Sequence, residues 1–421
     1  MKVLHVITGL GVGGAELQLR SILQHTRHES DVVTLYNPGP VADMIRADGG
    51  RVRDLGMTRN TELSALLRLR RLIRSGGYDV VHTHLYRSQI YGRTAAWLAG
   101  TPVVLSTEHS IGETHLERRR MTLGVRALYL GTERLSDTTI AVSETVRDRL
   151  ASWGVRPRNM TVIPNGVDLG RAAFDAEARG RVRSELGLVP GSYVIGLLGR
   201  LDPNKQFDMV IEAAAPLLDD KARLVIVGGG AEREHLEQVA GACGVTDRVI
   251  FAGERHDVAA VLSAFDLFVA SSKQETFGLS VLEALANGLP VLYTTCPALD
   301  GLGVDRARQV PSSAPGLRAA MATEVTAGKR DRIPVAAIER EYGIEAVTAR
   351  IDDLYERLRP APARPAAIQA DGRSGGPPSG HAAIRSPAPR IAAAGPAATV
   401  PPLIIGVGSS AAPARQTGGE G

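Results

Sequence analysis

The sequence predicts an α/β protein with two Rossmann-like domains, whose parallel sheets face a central cleft. Short apolar strands alternate with helices over the first 165 or so residues, and the same alternation restarts after a charged connector. Continuous apolar strands separated by helices are typical of parallel sheets covered on both faces. A chain of 421 residues, 44% hydrophobic and 22% charged, is long enough for two such domains with sizeable cores.

The first domain is predicted at residues 1–170. Its strands are "KVLHVIT", "DVVTLY", "RVRDLG", "DVVHTHL", "PVVLSTEH" and "TTIAVSE". The segments "AELQLRSILQ" and "TELSALLRLRRLIRSGG" place apolar residues at helical spacing, and the second ends in glycine. The turn residues of "MTVIPNGVD" indicate the exit from this domain.

The second domain is predicted at residues 171–335, with the strands "YVIGLLGR", "RLVIVGGG", "RVIFAGE", "LFVASS" and "PVLYTT". An amphipathic helix at 336–360 is expected to pack back on the domains. Residues 361–421 are rich in Ala, Pro, Gly and Ser and contain no aromatic residue other than histidine. Such a segment buries too little apolar surface to offset its ordering entropy, so we expect a disordered tail.

Composition excludes several classes of protein. Cys243 and Cys296 form neither a disulfide framework nor a metal-ligand spacing. An apolar run of about 20 residues and a secretion signal are both missing, so we expect a cytoplasmic protein without a membrane span. The net charge of +4 is a mild bias toward anionic partners. Basic residues are not interleaved with aromatic ones, so nucleic-acid binding is not expected.

The loop "GLGVGGAELQ" after the first strand fits the pattern G-x-G-x-x-G at Gly9, Gly11 and Gly14. A dinucleotide site would place a carboxylate at the end of the second strand, but that strand ends at Tyr36 and Asn37. Free N–H groups at a helix N-terminus attract any phosphate. A phosphate site and a tight turn without a ligand both remain open for this loop.

The segment "SSKQETFGLSVLEALANGLPV" carries the strongest signal. Glu275 precedes a predicted helix and Glu283 lies on it, about 10 Å away. Between them lie the unpaired N–H groups of Gly278, Leu279 and Ser280. This spacing suits a ligand with hydroxyls at both ends and a diphosphate in the middle. It exceeds the separation of about 5 Å between the carboxyls of a retaining glycosidase.

This segment resembles the signature of glycosyltransferase family 4, whose usual form is E-G-F-G-L-P-x-x-E-A. Other landmarks of the family follow in order over about residues 1–300: "GGAE", "DVVHTHL", "STEHS", "AVSE", "VIPNGVD", "GRLDPNKQFD", "VGGG" and "FAGE". The resemblance implies a GT-B fold and a retaining, metal-independent transferase. It also implies that no cofactor is needed, since a UDP-sugar serves as co-substrate.

The resemblance assigns the donor site. Arg200 and Lys205 would neutralise the diphosphate, because a guanidinium gives bidentate phosphate contacts and an ammonium a point charge. Glu283 would hold the ribose hydroxyls, and Glu275, as a catalytic residue, those of the transferred sugar. The backbone of the segment from Gly278 through Leu279 to Ser280 would lie near sugar and phosphate.

Further roles follow from the resemblance. Gly14 would let the N-terminal loop approach the diphosphate on closure, and the backbone around Arg255 would read the base. His109 in "STEHS" would act at the sugar, its imidazole or carbonyl stabilising positive charge at the anomeric carbon. His82 and His84 alternate on a strand, but no third ligand has suitable spacing, so we expect them to be structural.

The sequence departs from the family pattern at two kinds of position. Thr276 stands where glycine is usual and Ser280 where proline is usual; backbone contacts should survive both changes. The segment "TTCPALDGLGVDRARQV" lacks the usual G-G-x-x-E-x-V pattern, so we assign no site residues there.

The acceptor is expected to meet the segment "EHSIGETHLERRRMTLGVRALYLGTERL". Its arginines, 118–120, could meet lipid phosphate, and Glu108, Glu113 and Glu117 could pair with a cationic amino sugar. We expect UDP-N-acetylglucosamine as donor and a soluble natural product, such as an aminoglycoside antibiotic intermediate, as acceptor. Transfer to a lipid-linked cell-surface polysaccharide intermediate at a membrane surface is the alternative. Two other classes remain, an NAD-dependent oxidoreductase and a non-catalytic glycan-binding protein.

Overall fold

Two parallel sheets organise the residues that the computed structural model describes, which are 1–59, 61–112, 115–116 and 119–359. The first sheet has the order β3-β2-β1-β4-β5-β8-β9 and the second the order β12-β11-β10-β13-β14-β15. The first contains β1 (Lys2–Ile7), β2 (Glu29–Thr34), β3 (Arg51–Asp54), β4 (Val80–His84), β5 (Val103–Glu108), β8 (Thr138–Ala141) and β9 (Met160–Val162). The second contains β10 (Tyr193–Leu198), β11 (Ala222–Val227), β12 (Val249–Gly253), β13 (Leu267–Ala270), β14 (Val291–Tyr293) and β15 (Ala307–Gln309). A small antiparallel hairpin pairs β6 (His115–Leu116) with β7 (Arg119–Arg120).

Helices connect the strands of both sheets. Those of the first half are α1 (Gly14–His25), α2 (Gly39–Ala47), α3 (Leu63–Gly76), α4 (Tyr86–Ala99), α5 (Leu123–Glu133) and α6 (Glu144–Trp153). Those of the second half are α7 (Leu169–Ala172), α8 (Ala176–Glu185), α9 (Phe207–Ala214), α10 (Arg233–Ala242), α11 (Val258–Ala264), α12 (Leu279–Ala286), α13 (Ala314–Ala327), α14 (Ala336–Tyr342) and α15 (Ile344–Leu358). Each sheet reverses its strand order once, between β1 and β4 and between β10 and β13. Ligands of open α/β sheets bind at such reversals, beyond the carboxyl ends of the strands.

The strand predictions are largely confirmed, with omissions at the sheet edges and in the hairpin. All six strands predicted for the first domain and all five predicted for the second are present. The hairpin of β6 and β7 and the edge strands β9 and β15 are not predicted by the sequence pattern, which indicates only a domain exit at β9. β15 has only three residues, and Arg308 and Gln309 are exposed, so it lacks the apolar run that marks a buried strand. The expected tail at 361–421 lies outside the described residues.

The last helix, α15, packs on the first sheet rather than on the second. Its residues Val347, Ile351 and Leu354 join one apolar cluster with Val3 and Val80 of the sheet. Burial of each such side chain contributes about 1.5–3 kcal/mol. Polar contacts of the same helix reach the end of α1, where Asp352 accepts hydrogen bonds from the Thr26 hydroxyl (2.7 Å) and the Arg27 backbone (3.0 Å).

Close backbone contacts explain the glycines of "VGGG" after β11. Gly228 has φ +142°, and a Cβ there would lie 1.8 Å from the carbonyl oxygen of Gly199. A Cβ on Gly230 would lie 2.1 Å from the carbonyl oxygen of Leu201. A side chain at either position would clash with backbone, so these glycines are required for packing. They fix the loop after β10, which carries Arg200.

Candidate active site

The N-terminus of α12 lies beyond the carboxyl end of β13, at the strand-order reversal of the second sheet. Gly278 precedes the helix with φ +101°, and a Cβ there would lie 2.4 Å from the Cys296 sulfur. No described side chain caps the helix, so the predicted N–H donors of Gly278, Leu279 and Ser280 belong to an uncapped end. Such an end favours a bound anion.

An open cavity of about 510 Å³ lies between α1 of the first domain and α12 of the second. Leu279 and Glu283 line it from α12. Gly14 meets the same helix, since a Cβ on it would lie 3.9 Å from Cδ2 of Leu279. The structure therefore brings together three of the predicted donor-binding residues from two distant parts of the sequence.

Gln18 also lines this cavity, and sequence reasoning does not identify it. Its side chain is buried, and its amide nitrogen has no hydrogen-bond partner among the described residues. Gln18 follows Gly14 by four residues on α1, so both lie on one face of the helix. A buried donor without a partner is costly, which makes Gln18 a candidate for ligand contact.

Glu283 is surrounded by protein but borders the cavity. Loss of solvation raises the pKa of Glu283 to about 7, because burial penalises the charged carboxylate. A ligand whose hydroxyl groups donate to this carboxylate would compensate for the lost water.

Lys205 and Glu275 form an ion pair beside α12. The Lys205 ammonium donates to Oε2 of Glu275 (3.0 Å) and to the Ser272 hydroxyl (3.3 Å). An ammonium has three N–H donors, so these contacts leave one for an anion. Arg200 is exposed on the neighbouring loop. The cavity lining does not include Arg200, Lys205 or Glu275, so these predicted donor residues lie outside the cavity that Leu279 and Glu283 line.

Arg255 is held by carboxylates. Its guanidinium contacts Asp257 (2.6 Å) and Glu185 (3.0 Å), and these partners raise the pKa of Arg255 further above its ordinary value. The residues that follow it, from His256 to Ala260, line the cavity. The side chain of Arg255 therefore anchors a segment whose next residues face the ligand space.

Histidines form a buried row at the strand-order reversal of the first sheet. His84 bonds His5 (3.1 Å) on one side and His109 (3.2 Å) on the other. His82 bonds the hydroxyls of Tyr355 (2.6 Å) and Thr107 (2.7 Å). Burial lowers the pKa of His109 to about 4 and that of His5 to about 3, so these rings are neutral at physiological pH.

His5 corrects the expectation that His82 and His84 lack a third potential ligand. Nitrogen atoms of the three side chains lie within 4.8 Å of one another. Both ring nitrogens of His82 and of His84 already take part in hydrogen bonds. The pairing of β1 with β4 sets His5 opposite His82. Sequence spacing alone does not show this proximity.

Thr276 connects the two domains, and sequence reasoning noted it only as a departure from glycine. Its hydroxyl donates to the backbone carbonyl of His109 (3.0 Å), and its own carbonyl accepts from the Ser143 hydroxyl (2.6 Å). The side chain that distinguishes this segment thus contacts the predicted catalytic histidine.

Glu108 does not belong to an acceptor surface. It is fully buried, and it accepts from the Tyr129 hydroxyl (3.3 Å), Gln89 (3.4 Å) and the Ser110 backbone (3.2 Å). The expectation that it pairs with a cationic amino sugar is therefore wrong, because its carboxylate is enclosed by protein donors. Glu113, Glu117 and Arg118 lie outside the described residues.

Two protein-family models match the parts of the chain that form this site. Residues 12–171 match the model described as Glycosyltransferase Family 4, and residues 192–323 match the model described as Glycosyl transferases group 1. The chain belongs to glycosyltransferase family 4. The matched residues include Gly14, the histidines at 82, 84 and 109, and the α12 segment.

Two similar proteins are identical to this chain at about a third of the aligned positions. The UDP-Gal:alpha-D-GlcNAc-diphosphoundecaprenol alpha-1,3-galactosyltransferase of Escherichia coli is 32% identical over 55% of this chain and 62% of its own length. The D-inositol 3-phosphate glycosyltransferase of Salinispora tropica is 34% identical over 56% of this chain and 54% of its own length. The chain thus spans somewhat more than half the length of these curated relatives.

A solved structure supports the fold. The HepE protein of Anabaena in complex with UDP-glucose superimposes with a TM-score of 0.74 at 21% identity, covering 85% of this chain and all of that one. The predicted GT-B fold is confirmed. Among the described residues, the helices are too short or too polar to cross a membrane.

Proposed function

We propose that this chain transfers a hexosyl or N-acetylhexosaminyl group from a UDP-sugar to an acceptor hydroxyl, with retention of configuration. One observation carries the proposal: two carboxylates, Glu283 and Glu275, flank an uncapped helix end with Lys205 beside it. A nucleotide sugar has the complementary order, with hydroxyls of ribose, an anionic diphosphate and hydroxyls of the transferred sugar.

The chemical step would depend on charge stabilisation of the leaving group. The bond between the anomeric carbon and the diphosphate oxygen breaks, and its electron pair stays on the diphosphate. The acceptor hydroxyl oxygen bonds the anomeric carbon, and its proton goes to the departing phosphate oxygen. Lys205, Arg200 and the N–H groups of α12 would stabilise the negative charge that develops there, which is commonly the largest catalytic contribution.

His109 would serve the opposite end of the breaking bond. An imidazolium would repel the positive charge that develops at the anomeric carbon, whereas a neutral ring would not. Burial keeps His109 neutral, since its pKa is lowered to about 4. The hydrogen bond from Thr276 to its carbonyl oxygen would hold this residue against the donor loop.

The proposed donor and the proposed acceptor rest on different observations. We keep UDP-N-acetylglucosamine as the first donor, with UDP-glucose second, although no described residue singles out an acetamido group. Because Glu108 is buried, it cannot pair with the ammonium groups of an aminoglycoside acceptor. Both relatives are named for acceptors that carry phosphate, one of them lipid-linked. We therefore favour a phosphate-bearing acceptor, lipid-linked first.

The test is a product screen with purified protein. UDP-N-acetylglucosamine, UDP-glucose and UDP-galactose are each combined with undecaprenyl-diphosphate sugars, inositol phosphate and aminoglycosides, and products are identified by mass spectrometry. We expect transfer to a phosphate-bearing acceptor, insensitivity to EDTA, and an anomeric configuration by NMR equal to that of the donor. Transfer to aminoglycosides alone would refute the acceptor class. UDP-sugars left intact in every mixture, together with reduction of NAD, would refute the transferase.

A further inference from the structure

Exposed apolar side chains concentrate on one face of the first domain. Among the described residues, ten large hydrophobic side chains are exposed, and six of them belong to three consecutive helices. Helices α3, α4 and α5 pack side by side, with α4 in the middle. The six residues are Leu63, Leu67, Trp97, Leu98, Leu123 and Leu128. We call the surface that they form the α3–α5 face.

Most of these side chains have more than half of their surface exposed to solvent. Leu123 is 84% exposed, Leu63 77% and Trp97 60%. Single exposed leucines are ordinary, but a group on adjacent helices marks an interaction site. The other faces of α3 and α4 are already used, since Leu69 and Ile73 of α3 and Ala95 and Ala96 of α4 belong to a buried apolar cluster with the sheet. The exposed stripe is thus a second apolar face with no partner within the described structure.

The same face is strongly basic. Helix α3 carries four arginines, and α4 and α5 add Arg87 and Arg126, since Arg93 of α4 is fully buried; the single acidic residue in these three helices, Glu133, is buried too. Arg68 is paired with Glu62 (2.8 Å). Arg71 and Arg74 are exposed, and no carboxylate of the described residues lies in ion-pair contact with them.

Apolar and cationic groups are interleaved rather than separated. Leu67, Arg70, Arg71 and Arg74 line one shallow depression of about 340 Å³. The Arg70 guanidinium donates to the backbone carbonyl of Leu98 (3.0 Å), which joins α3 to the exposed end of α4. Trp97 is the residue immediately before Leu98. An apolar surface edged by cationic side chains complements a molecular layer with an apolar interior and an anionic surface.

We propose that the α3–α5 face docks on an anionic phospholipid bilayer. The leucines and Trp97 would enter the headgroup boundary, and the arginines would contact lipid phosphates. Long arginine side chains keep their charge at the interface while their stems cover apolar surface. The charge of the face, together with its spread over three helices, favours a lipid surface over a single apolar peptide. This docking does not depend on the transferase activity.

The protein contains its own reporter for the test. Of its two tryptophans, Trp97 lies on the α3–α5 face and Trp153 packs against Tyr129. In a Trp153→Phe variant, Trp97 is the remaining tryptophan. On addition of vesicles containing phosphatidylglycerol, we expect a blue shift of its emission and quenching by brominated lipids. Neutral phosphatidylcholine vesicles should give a much smaller response.

Paired variants separate docking from misfolding. Leu63→Ser with Leu67→Ser, and Arg71→Glu with Arg74→Glu, should each lower partitioning onto anionic vesicles at least tenfold in a flotation assay. Matched controls on the second domain are Val189→Ser with Ile333→Ser, and Arg308→Glu with Arg318→Glu; these should bind as wild type does. Circular dichroism and thermal melting verify that all variants fold.

Three results would overturn the proposal. One is equal binding to neutral and anionic vesicles, which would remove the role of charge. Another is retained binding by both variants of the α3–α5 face. The last is a dimer by light scattering that dissociates when Leu63 and Leu67 are replaced, because the face would then be an interface between two copies.

Discussion

The two domains repeat one fold but carry opposite chemistry at corresponding places. At the strand-order reversal of the first sheet, His5 and His84 are buried and hydrogen-bonded to each other, and the buried His82 ring packs against His84. At the reversal of the second sheet, Lys205 and Glu275 form an ion pair that remains partly exposed. Neutral rings therefore occupy the strand-order reversal of the first sheet, and charged side chains occupy that of the second.

This difference matches what a glycosyl transfer requires at each end of the breaking bond. Negative charge develops on the diphosphate and needs fixed positive charge and N–H donors. Positive charge develops at the anomeric carbon, where a neutral environment avoids repulsion. Corresponding positions of a repeated fold can thus divide one reaction between them, since function depends on the site rather than the fold.

The largest expected effect tests the charged side. Arg200→Ala and Lys205→Ala should each lower kcat at least tenfold, because each removes charge that stabilises the leaving diphosphate. Steady-state kinetics with UDP-sugar measure the effect, and Arg308→Ala is a control of equal charge change outside the site. Unchanged kinetics in both variants would remove these residues from the site.

The next effect concerns Glu283, whose pKa is raised to about 7. Ribose hydroxyls donate to the charged form, so UDP-sugar affinity should fall as pH decreases below 7, approaching about tenfold for each pH unit. Glu283→Gln should bind more weakly at pH 8 and show a flat pH profile. A wild-type affinity that is constant from pH 8 to pH 6 would contradict the role of this carboxylate.

The same carboxyl gives a stability prediction with a definite sign. Its pKa is higher in the folded protein than in the unfolded chain, so the folded state binds more protons between about pH 4.5 and pH 7. Stability should therefore decrease across that window as pH rises. Glu283→Gln should raise the melting temperature at pH 8 relative to wild type and give no such gain at pH 4. An equal shift at both pH values would show an effect unrelated to ionisation.

A smaller effect is expected for the bridge between the domains. Thr276→Val removes the hydroxyl that donates to the His109 carbonyl while keeping the side-chain shape. We expect kcat to fall several-fold, because a neutral hydrogen bond contributes about 0.5–1.5 kcal/mol. Thr276→Ser retains the donor and should keep activity close to wild type. Equal activity of the two variants would show that the bridge does not position His109.

The smallest effect is expected from the tail. Truncation after Pro360 should leave the melting temperature and donor hydrolysis nearly unchanged, because a segment of this composition contributes no core. Differential scanning fluorimetry of the truncated and full-length chains measures this. A large loss of stability would show that the tail binds the domains.

Pattern and periodicity predict the inner strands of both sheets but not the edge strands β9 and β15 or the contacts across the cleft. The apolar runs predict the major strands because burial on both faces demands them. His5 and Gln18 enter the site through strand pairing and helix docking, which sequence spacing does not encode. Glu108 shows the converse, since a carboxylate in a charged segment is buried by Tyr129 and Gln89, which come from other elements.

The division of charge between the domains is tested most directly by comparing the affinities of UDP and uridine. Calorimetric titration of wild type with each ligand measures how much the diphosphate contributes to binding. The same ratio in an Arg200→Ala, Lys205→Ala double variant measures how much of that contribution depends on these two cations. We predict that wild type binds UDP more tightly by roughly tenfold or more, and that the double variant loses most of this difference. An unchanged ratio in the double variant would contradict the assignment of the diphosphate to the charged side of the cleft.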